Sequence, residues 1–487
     1  MARYAYDRLT ALDNSFLLLE KPNSYMHVAA TQIFKLGPLR TEGGGVDAGR
    51  IRKLISALLH RIPRYRQKLA WIPFENHPVW VDDENFNLDY HLRHTALPRP
   101  GNDEQLKRLS ARVMQQHLDR DRPLWEMWVV EGLEDDRFAI ISKTHHCMID
   151  GISGVDIMRV LMSPEPDEEI PVEPTWVPRP APSAFELLRH EWTRRAWLPF
   201  EILRGAASLV RQAEDVRFDL MTRLRAIQET LGGSLRLPSE TPLNREIGPH
   251  RRFDWLTMEL GELKQMRKAL GGSLNDLVLT IVTGAVRSFL RARHVNPDRL
   301  DFRVMAPVSV RSDDQRGELG NRVSAWIVPL PIDEPDPRAQ LERIVEKTTR
   351  LKVSNSAVGA EALTQAAEYT PSTLLALGAR NIARLLPFNL VVTNVPGPQA
   401  PMYLLGAEMT EVFPHVPLTD RLGMGIALMS YNGRLCWGVS ADYDLVPDLH
   451  EFVGAIEHAF RALQALVPAR AAAPGANGHD RSESRAG

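Results

Sequence analysis

The segment at residues 163–182 most constrains the fold, because it interrupts the chain with prolines and acidic residues. Proline lacks a backbone N–H and clashes with the preceding helical turn, so the run Pro-Glu-Pro-Asp-Glu-Glu-Ile-Pro excludes a regular helix or a central strand. The chain has 487 residues, whereas a single hydrophobic core stops growing at about 250 to 300 residues. The sequence therefore predicts two domains, with this segment as the linker between them.

Both halves of the chain alternate helical and strand-like patterns, which is typical of an α/β layered fold. In the first half, residues 46–60 have amphipathic helical spacing and residues 137–143 read as a buried strand. The second half predicts two helices, at residues 260–270 and 274–293. It predicts strands near residues 303–306, 324–330, 390–393 and 435–440.

A long helical pattern at residues 183–230 follows the linker, with Pro199 expected to kink it. Aromatic residues such as Trp192 are interleaved with arginines such as Arg189 and Arg194. Two interpretations stay open: an interfacial helix that places aromatic rings in a lipid boundary, or a helix that packs across both domains.

The predicted division of the chain follows from these patterns. The tail has little apolar surface to bury, so we expect it to be disordered. The domains are an N-terminal domain at 1–162, a linker and helical connector at 163–240, a C-terminal domain at 241–468 and a tail at 469–487.

The composition excludes several classes of protein. A net charge of −2 supplies no positive field to neutralise phosphates, so a nucleic-acid partner is not expected. Cys147 and Cys436 are too few for a disulfide framework or a four-thiolate zinc site, which is consistent with a reducing cytosol. Acidic residues interrupt the N-terminal apolar segment, so export is not expected. The longest apolar region, at residues 277–285, is shorter than the roughly 18 residues that span a bilayer, and membrane contact is predicted to be peripheral.

Two histidines and one aspartate lie close together in Thr-His-His-Cys-Met-Ile-Asp-Gly at residues 144–151, directly after a predicted strand. Imidazole titrates near neutral pH, so a positioned histidine can take a proton from an alcohol. Asp150 could hold the loop by hydrogen bonds, and Gly151 permits close approach of the backbone to a substrate. From the residues alone, three alternatives stay open: structural histidines, a metal site without the usual His-x3-His spacing, and a nucleophile at Cys147.

The pattern His145-His146-x3-Asp150-Gly151 resembles the His-His-x3-Asp-Gly signature of coenzyme-A-dependent acyltransferases related to chloramphenicol acetyltransferase. Around it, roughly residues 5–465 are similar to bacterial wax ester synthase/diacylglycerol acyltransferases, with matching segments in the expected order. These segments are Leu12-Asp13 with Phe16, Met26-His27-Val28, Pro63-Arg64-Tyr65-Arg66, Pro123-Leu124-Trp125-Glu126, Asn275-Asp276, Ala306-Pro307-Val308-Ser309-Val310-Arg311, Gly320-Asn321 and Asn394-Val395-Pro396-Gly397-Pro398.

The resemblance implies two chloramphenicol acetyltransferase-like domains with one active site between them, because the second half has no second signature. It implies that His146 is the general base and that His145 and Asp150 hold the loop. The residues predicted to contact substrate are Gly151, Asn275, Asp276 and Asn394. Two of these have a second interpretation: Asn275 as the cap of a helix that begins at Asp276, and Asn394 as a turn residue.

The implied reaction transfers an acyl group from a long-chain acyl-CoA to the hydroxyl of diacylglycerol or of a long-chain fatty alcohol. Coenzyme A leaves as a thiol with a pKa of about 8.5, so no covalent enzyme intermediate, cofactor or metal is expected. An apolar acceptor suits a cytoplasmic protein that associates peripherally with the inner membrane or with lipid inclusions.

Two other functions stay open at this stage. One is a condensation-type acyltransferase that acts on a polar acceptor of an envelope lipid or a secondary metabolite. The other is a catalytically silent protein that binds lipid inclusions.

Overall fold

A computed structural model describes residues 6–148, 154–194, 237–309, 323–353 and 387–468. The helices are α1 (Ala11–Leu19), α2 (Ala48–Leu58), α3 (Leu88–His91), α4 (Asp103–Gln115), α5 (Gly154–Leu161), α6 (184–194), α7 (Leu260–Leu270), α8 (Leu274–Ala292), α9 (Pro337–Val353) and α10 (Leu449–Gln464). The strands of the first half are β1 (Tyr6–Arg8), β2 (His27–Lys35), β3 (Gln67–Trp71), β4 (Pro78–Asp82), β5 (Leu92–Ala96), β6 (Trp125–Leu133) and β7 (Arg137–His145). Those of the second half are β8 (Arg251–Glu259), β9 (Phe302–Ser309), β10 (Val323–Leu330), β11 (Leu390–Pro396), β12 (Tyr403–Leu404), β13 (Ala407–His415), β14 (Met424–Tyr431) and β15 (Arg434–Asp442).

The helices and strands predicted from periodicity are confirmed, with end points that shift by a few residues. Residues 46–60 form α2, and residues 260–270 and 274–293 form α7 and α8. The predicted strands correspond to β7, β9, β10, β11 and β15. Of the predicted helix at residues 183–230, the described part is α6; its remainder, Pro199 and the tail after residue 468 lie outside the described residues.

The described strands form two six-stranded sheets and one small sheet, which confirms the α/β class. The first large sheet has the order β12-β13-β2-β7-β6-β5, and the second has the order β10-β9-β11-β14-β15-β8. The small sheet has the order β1-β4-β3. Helices α7, α8, α9 and α10 contribute to a buried core with the second sheet, while α1 and α2 contribute to a core with the first.

One hairpin crosses between the halves. Strands β12 and β13 come from the second half of the chain, yet β13 pairs antiparallel with β2 of the first sheet. The predicted range 241–468 for the C-terminal domain therefore includes a hairpin that belongs to the other sheet. A single sequence does not show this exchange, because β-pairing between distant segments depends on which edge strand is available in the folded protein.

The linker is confirmed as irregular, since residues 164–183 contain no helix or strand. It nevertheless lies on the first half. Arg179 donates to the Asp82 carboxylate at 2.9 Å, and the Arg66 guanidinium lies 4.9 Å from the centre of the Trp176 ring. The linker therefore forms part of the surface around the first domain.

Among the described residues, no single helix is both long enough and apolar enough to cross a bilayer. The pair α7 and α8 passes such a test only when taken together, and the two helices meet at 97°. Their apolar side chains belong to the core of the second half.

Candidate active site

Strand β7 delivers the two histidines to the end of the first sheet. It lies between β2 and β6, with His27 opposite His145 and Trp125 opposite Thr144. His145 is the last residue of the strand, and His146 begins a short 3-10 turn that extends to Met148. The change from strand to turn lets the neighbouring imidazoles contact different partners.

A buried lysine fixes this strand. The side chain of Lys143 is fully buried and donates to the backbone oxygens of Val113 at 2.9 Å and Gln116 at 2.7 Å, at the C-terminal end of α4. These carbonyls carry the negative end of the helix dipole, which a cation stabilises. Burial lowers the pKa of Lys143 to about 8. The contact holds β7 against α4 two residues before His145.

His146 is held by α1 and by the residue that precedes β2. Its ring stacks on Phe16, with 3.9 Å between ring centres and an angle of 22° between the rings. Its backbone N–H donates to Met26 O at 2.8 Å. Burial lowers the pKa of His146 to about 4, and the neighbouring His145 adds to the effect. The imidazole is therefore neutral at physiological pH, as a general base must be.

His145 contacts a carboxylate on a side chain that is only 10 % exposed. Its Nδ1 accepts from the backbone N–H of Cys147 at 3.1 Å, which assigns the ring proton to Nε2. Nε2 lies 3.1 Å from Glu20 Oε1, and Nε2 of His27 lies 3.8 Å from the same oxygen. His145 is 2 % exposed. Its contacts therefore hold the turn that carries His146.

Glu20 is the centre of a cluster with His27, His145 and Arg120, which we call the Glu20 cluster. Oε1 also accepts from the backbone N–H of Met26 at 2.8 Å, and Oε2 accepts from Arg120 at 2.6 Å. Burial on its own would raise the pKa of Glu20, but the contacts with His145 and Arg120 outweigh it and lower the pKa to about 2. The carboxylate is therefore ionised and joins α1, β2 and the end of β7.

The pH dependence of the reaction should reflect the low pKa of His146. We expect the acid limb of kcat/KM to lie near pH 4 and not near 6.5, the value for a free imidazole. The pKa of His146 is lower in the folded chain than in the unfolded chain. The free energy of unfolding should therefore also decrease as the pH falls from about 6.5 to about 4. Initial rates measured across this window, on protein whose folding is monitored by circular dichroism, test the prediction. An acid limb centred near pH 6.5 in folded protein would contradict it.

Two alternatives left open by the sequence gain no support from the described structure. Cys147 is fully buried, and burial raises the pKa of its thiol well above the usual value, which disfavours a thiolate nucleophile. In the part of the chain that the structure describes, no group of three or more histidine, cysteine, aspartate or glutamate side chains is arranged to hold a metal ion. The absence of a metal from the reaction stays a prediction.

The other predicted site residues fall into two groups. Asp150 and Gly151 lie outside the described residues. Asn275 and Asn394 meet in the second half, where Nδ2 of Asn394 donates to Oδ1 of Asn275 at 2.8 Å. Asn275 is exposed and Asn394 is half-buried, so this amide pair is accessible from solvent.

The alternative interpretation of Asn275 as the cap of α8 is wrong by two residues. The helix begins at Leu274, and Ser273 is its N-cap: Asp276 Oδ2 accepts from the Ser273 backbone and hydroxyl, while Ser273 accepts from the Asp276 N–H. This is a capping box. Oδ1 of Asp276 accepts from Thr348 at 2.8 Å. Asp276 is 3 % exposed, and both of its carboxylate oxygens accept hydrogen bonds from within the protein. Asn275 lies beside the cap and is exposed.

In the Asn-Val-Pro-Gly-Pro segment, no side chain fits at the position of the glycine. A Cβ added to Gly397 would lie 2.4 Å from the backbone oxygen of Ser430 on the neighbouring strand. Gly397 N also donates to that oxygen at 3.0 Å. The glycine therefore lets the segment that follows Asn394 pass close to β14.

The Glu20 cluster lies where the two halves meet. Directly after Glu20, Lys21 pairs with Asp420, and Ser24 donates to Leu418 O at 3.1 Å. Asn23 donates to Ile247 O at 3.3 Å. The segment that follows the Glu20 carboxylate is therefore attached to the second half.

A cavity of about 520 Å³ adjoins the histidine loop. Its apolar lining comes from the residues before β3, from the loop and α5, and from the linker: Ile62, Pro63, Tyr65, Met148, Ile157, Trp176 and Val177. Its polar lining consists of Asp7, Arg64, Gln67, Asp82 and Arg179. Both arginines face carboxylates, Arg179 with Asp82 at 2.9 Å and Arg64 with Asp7 at 3.8 Å. The polar side of the cavity is therefore close to neutral.

Glu20 was not among the residues predicted for the site. Phe16 and His27 were noted only because they lie in segments that match the family. The match of those segments to the family is a signal in the sequence that could have pointed to Phe16 and His27. Glu20 follows a run of three leucines and has no local pattern that points to a histidine 125 positions later.

The comparisons with known proteins agree with this geometry. Residues 9–278 match the family model of the wax ester synthase/diacylglycerol acyltransferase catalytic domain, and residues 319–464 match that of its C-terminal domain. A putative diacylglycerol O-acyltransferase of Mycobacterium tuberculosis is 32% identical over 459 residues, which is 91% of this chain and 88% of the relative. The O-acyltransferase WSD of Acinetobacter baylyi is 29% identical over 94% of this chain and 97% of its own length.

Solved structures show the same fold. The wax ester synthase/diacylglycerol acyltransferase of Marinobacter aquaeolei aligns with a TM-score of 0.64 and 24% identity, over 94% of this chain and 99% of that one. A starter condensation domain of rhizomide synthetase, solved with C8-CoA, aligns with a TM-score of 0.57 and 13% identity, over 95% and 94% of the two chains. The chain therefore belongs to the wax ester synthase/diacylglycerol acyltransferase family, whose fold contains two chloramphenicol acetyltransferase-like domains.

Proposed function

We propose that this protein transfers the acyl group of a long-chain acyl-CoA to the hydroxyl of diacylglycerol or of a long-chain fatty alcohol, with His146 as the general base. The observation that carries the proposal is a neutral imidazole, stacked on Phe16, on a turn that the Glu20 cluster holds. The names of the relatives support both acceptors, since they include diacylglycerol O-acyltransferases and a wax ester synthase/diacylglycerol acyltransferase.

The chemistry requires one proton transfer in each direction. His146 takes the hydroxyl proton as the acceptor oxygen attacks the thioester carbonyl, and a new C–O bond forms. The tetrahedral intermediate then breaks its C–S bond, and the coenzyme A thiolate that leaves takes the proton back from His146. General base catalysis contributes about 10²- to 10⁴-fold to such a rate. Holding both substrates in position supplies much of the rest.

We assign the acceptor to the cavity beside the histidine loop. Its apolar lining suits alkyl chains, and its volume lies within the range of about 300 to 1,000 Å³ that is usual for small-molecule sites. Coenzyme A carries phosphates, which bind best to unpaired cations. The arginines of the cavity already face Asp82 and Asp7. A neutral lipid alcohol therefore fits this cavity better than coenzyme A does.

Filling the cavity should weaken acceptor binding selectively. Ile157→Trp adds bulk from α5 to the apolar lining, so we expect KM for dipalmitoylglycerol or hexadecanol to rise about tenfold, the cost of misfitting an apolar group. KM for palmitoyl-CoA should change by less than about twofold, since its site lies elsewhere. Ile157→Val is the matched control. A rise in KM for palmitoyl-CoA instead would assign the cavity to the donor.

The remaining properties are also proposals. No cofactor is needed, since the imidazole and the thioester supply the chemistry. We place the protein in the cytoplasm, associated peripherally with the inner membrane or with lipid inclusions, because its acceptors reside there. The condensation-type alternative keeps the same base but requires a polar acceptor, and the silent-binder alternative requires no turnover.

Coenzyme A release from palmitoyl-CoA by the purified full chain tests the proposal. Dipalmitoylglycerol and hexadecanol serve as separate acceptors, and ester products are identified by mass spectrometry. We expect release that depends on an acceptor. Release with polar alcohols or amines alone would favour the condensation-type alternative, and folded protein without release in any arm would favour the silent binder.

A further inference from the structure

The outer face of α6 exposes two large aromatic side chains. Phe185 is 72 % exposed and Trp192 is 74 % exposed. They lie seven residues apart, which places them on the same face of a helix with Arg189 between them. We call these three residues the α6 face. Exposed aromatic residues that share one face indicate a binding surface more strongly than scattered apolar residues do.

The opposite face of α6 fixes its orientation. Leu187 is 4 % exposed and packs in a cluster with Val79 and Val81 of the small sheet and with Ile72, which follows β3. Glu191 is 4 % exposed and pairs with Arg8 of β1 and with Arg194 at 2.6 Å. A helix held by a buried leucine and by a buried glutamate that pairs with two arginines keeps its aromatic residues on the outer side.

A third exposed aromatic residue lies on the turn that packs beside α6. Phe74 is 93 % exposed at the tip of the β3–β4 hairpin. The next residue, Glu75, pairs with Arg8, which also pairs with Glu191 of α6. Phe74 therefore lies in the neighbourhood of the α6 face.

Arginine supplies the positive charge on the α6 face. Arg189 is exposed on the α6 face. Of the two glutamates of the helix, Glu191 pairs with arginines on the inner side. Glu186 is exposed in the first turn, where it accepts from the N-cap residue Ser183 and also interacts with the charge of Arg189. Aromatic rings with an arginine beside them are typical of segments that lie in the interface of an anionic membrane.

The α6 face follows the cavity lining closely along the chain. The linker residues Trp176, Val177 and Arg179 line the cavity, and α6 begins five residues after Arg179. Val177 is 76 % exposed, so the cavity lining reaches the surface on this side. A lipid surface that contacts α6 would lie close to the place where the linker meets the cavity.

We infer that the α6 face, with Phe74, docks the protein on a phospholipid bilayer that carries anionic headgroups. Docking would present the linker side of the cavity to the layer that supplies the acceptor. This inference rests on the proposed function, because it assigns the docking surface of an enzyme whose acceptor is a lipid.

Co-sedimentation of the full chain with lipid vesicles tests the inference without any acyl-CoA. The vesicles contain phosphatidylcholine alone or phosphatidylcholine with phosphatidylglycerol. We expect the double variant Phe185→Ser/Trp192→Ser to bind mixed vesicles about tenfold more weakly, since each ring loses apolar burial. Arg189→Gln should weaken binding to mixed vesicles and leave binding to phosphatidylcholine unchanged. Tyr443→Ser is the matched control, because Tyr443 is 45 % exposed on the second half.

Three results would overturn the inference: no binding of the wild-type chain to mixed vesicles, equal binding by the double variant, or binding only to triolein emulsions. Hexanol, which is soluble, serves as the acceptor in a parallel assay, and the double variant should turn it over at the wild-type rate. Vesicle binding that depends on α6 in a chain without coenzyme A release would overturn the proposed function alone. Release with unaltered vesicle binding by the double variant would overturn the docking surface alone.

Discussion

Replacing His146 by alanine should lower kcat for acyl transfer from palmitoyl-CoA by about 10²- to 10⁴-fold, the usual contribution of a positioned general base. The imidazole is neutral because burial lowers its pKa to about 4, and it is stacked on Phe16 at 3.9 Å. Alanine removes the proton acceptor, and we expect it to leave the binding of acyl-CoA largely unchanged. KM for palmitoyl-CoA should therefore change much less than kcat. Coenzyme A release in the presence of dipalmitoylglycerol measures both constants.

The matched control for this variant is His60→Ala. His60 is an exposed histidine after α2 whose Nδ1 lies 2.8 Å from Ala57 O, so its loss should leave kcat within about twofold of the native value. Circular dichroism of both variants checks that they are folded. A folded His146→Ala protein that keeps most of its activity would exclude His146 as the base.

Replacing Glu20 by alanine should lower both stability and kcat. The carboxylate joins His145 to Arg120 and to the Met26 N–H. Removing one partner from a buried charged cluster costs about 3 kcal/mol. We expect kcat to fall up to about 10²-fold as the turn that carries His146 loses its position, with a smaller change in KM. Glu20 acts on the reaction through His145, so it is a positioning residue.

Urea unfolding and initial rates measure the two effects of the Glu20 change separately. The carboxylate has a folded pKa of about 2, below its unfolded value of about 4.3. Its contribution to stability is therefore present above about pH 4.3 and is lost as the pH falls towards 2. Glu20→Gln, which keeps the shape and loses the charge, should lie between alanine and the native chain. The matched control is Glu408→Ala, which breaks the Lys35 pair on the exposed side of the same sheet and should cost less than about 1 kcal/mol. An equal loss in both alanine variants would contradict a special role for the Glu20 cluster.

Much of the local structure was predictable because it depends on short-range patterns. The spacing of apolar residues predicted α2, α7 and α8, and the prolines predicted an irregular linker. The sequence predicted that His146 follows a strand, since the apolar run at residues 138–141 lies within β7, which ends at His145. The asparagine pair was predicted as two separate candidates, and their mutual hydrogen bond became visible only in the folded chain.

The sequence by itself determined the α/β class, the linker and the histidine turn, because helices, strands and proline breaks follow from contacts between residues close in the chain. Only the tertiary structure decided three features. It brought Glu20 to His145, it moved the cap of α8 from Asn275 to Ser273, and it added β13 to the first sheet. The contact of Glu20 with His145 and the pairing of β13 with β2 join segments more than 100 residues apart, and the cap depends on which side chain reaches the first free N–H groups. Such choices depend on burial and strand register, which are set when the whole core packs and not by any local run of residues.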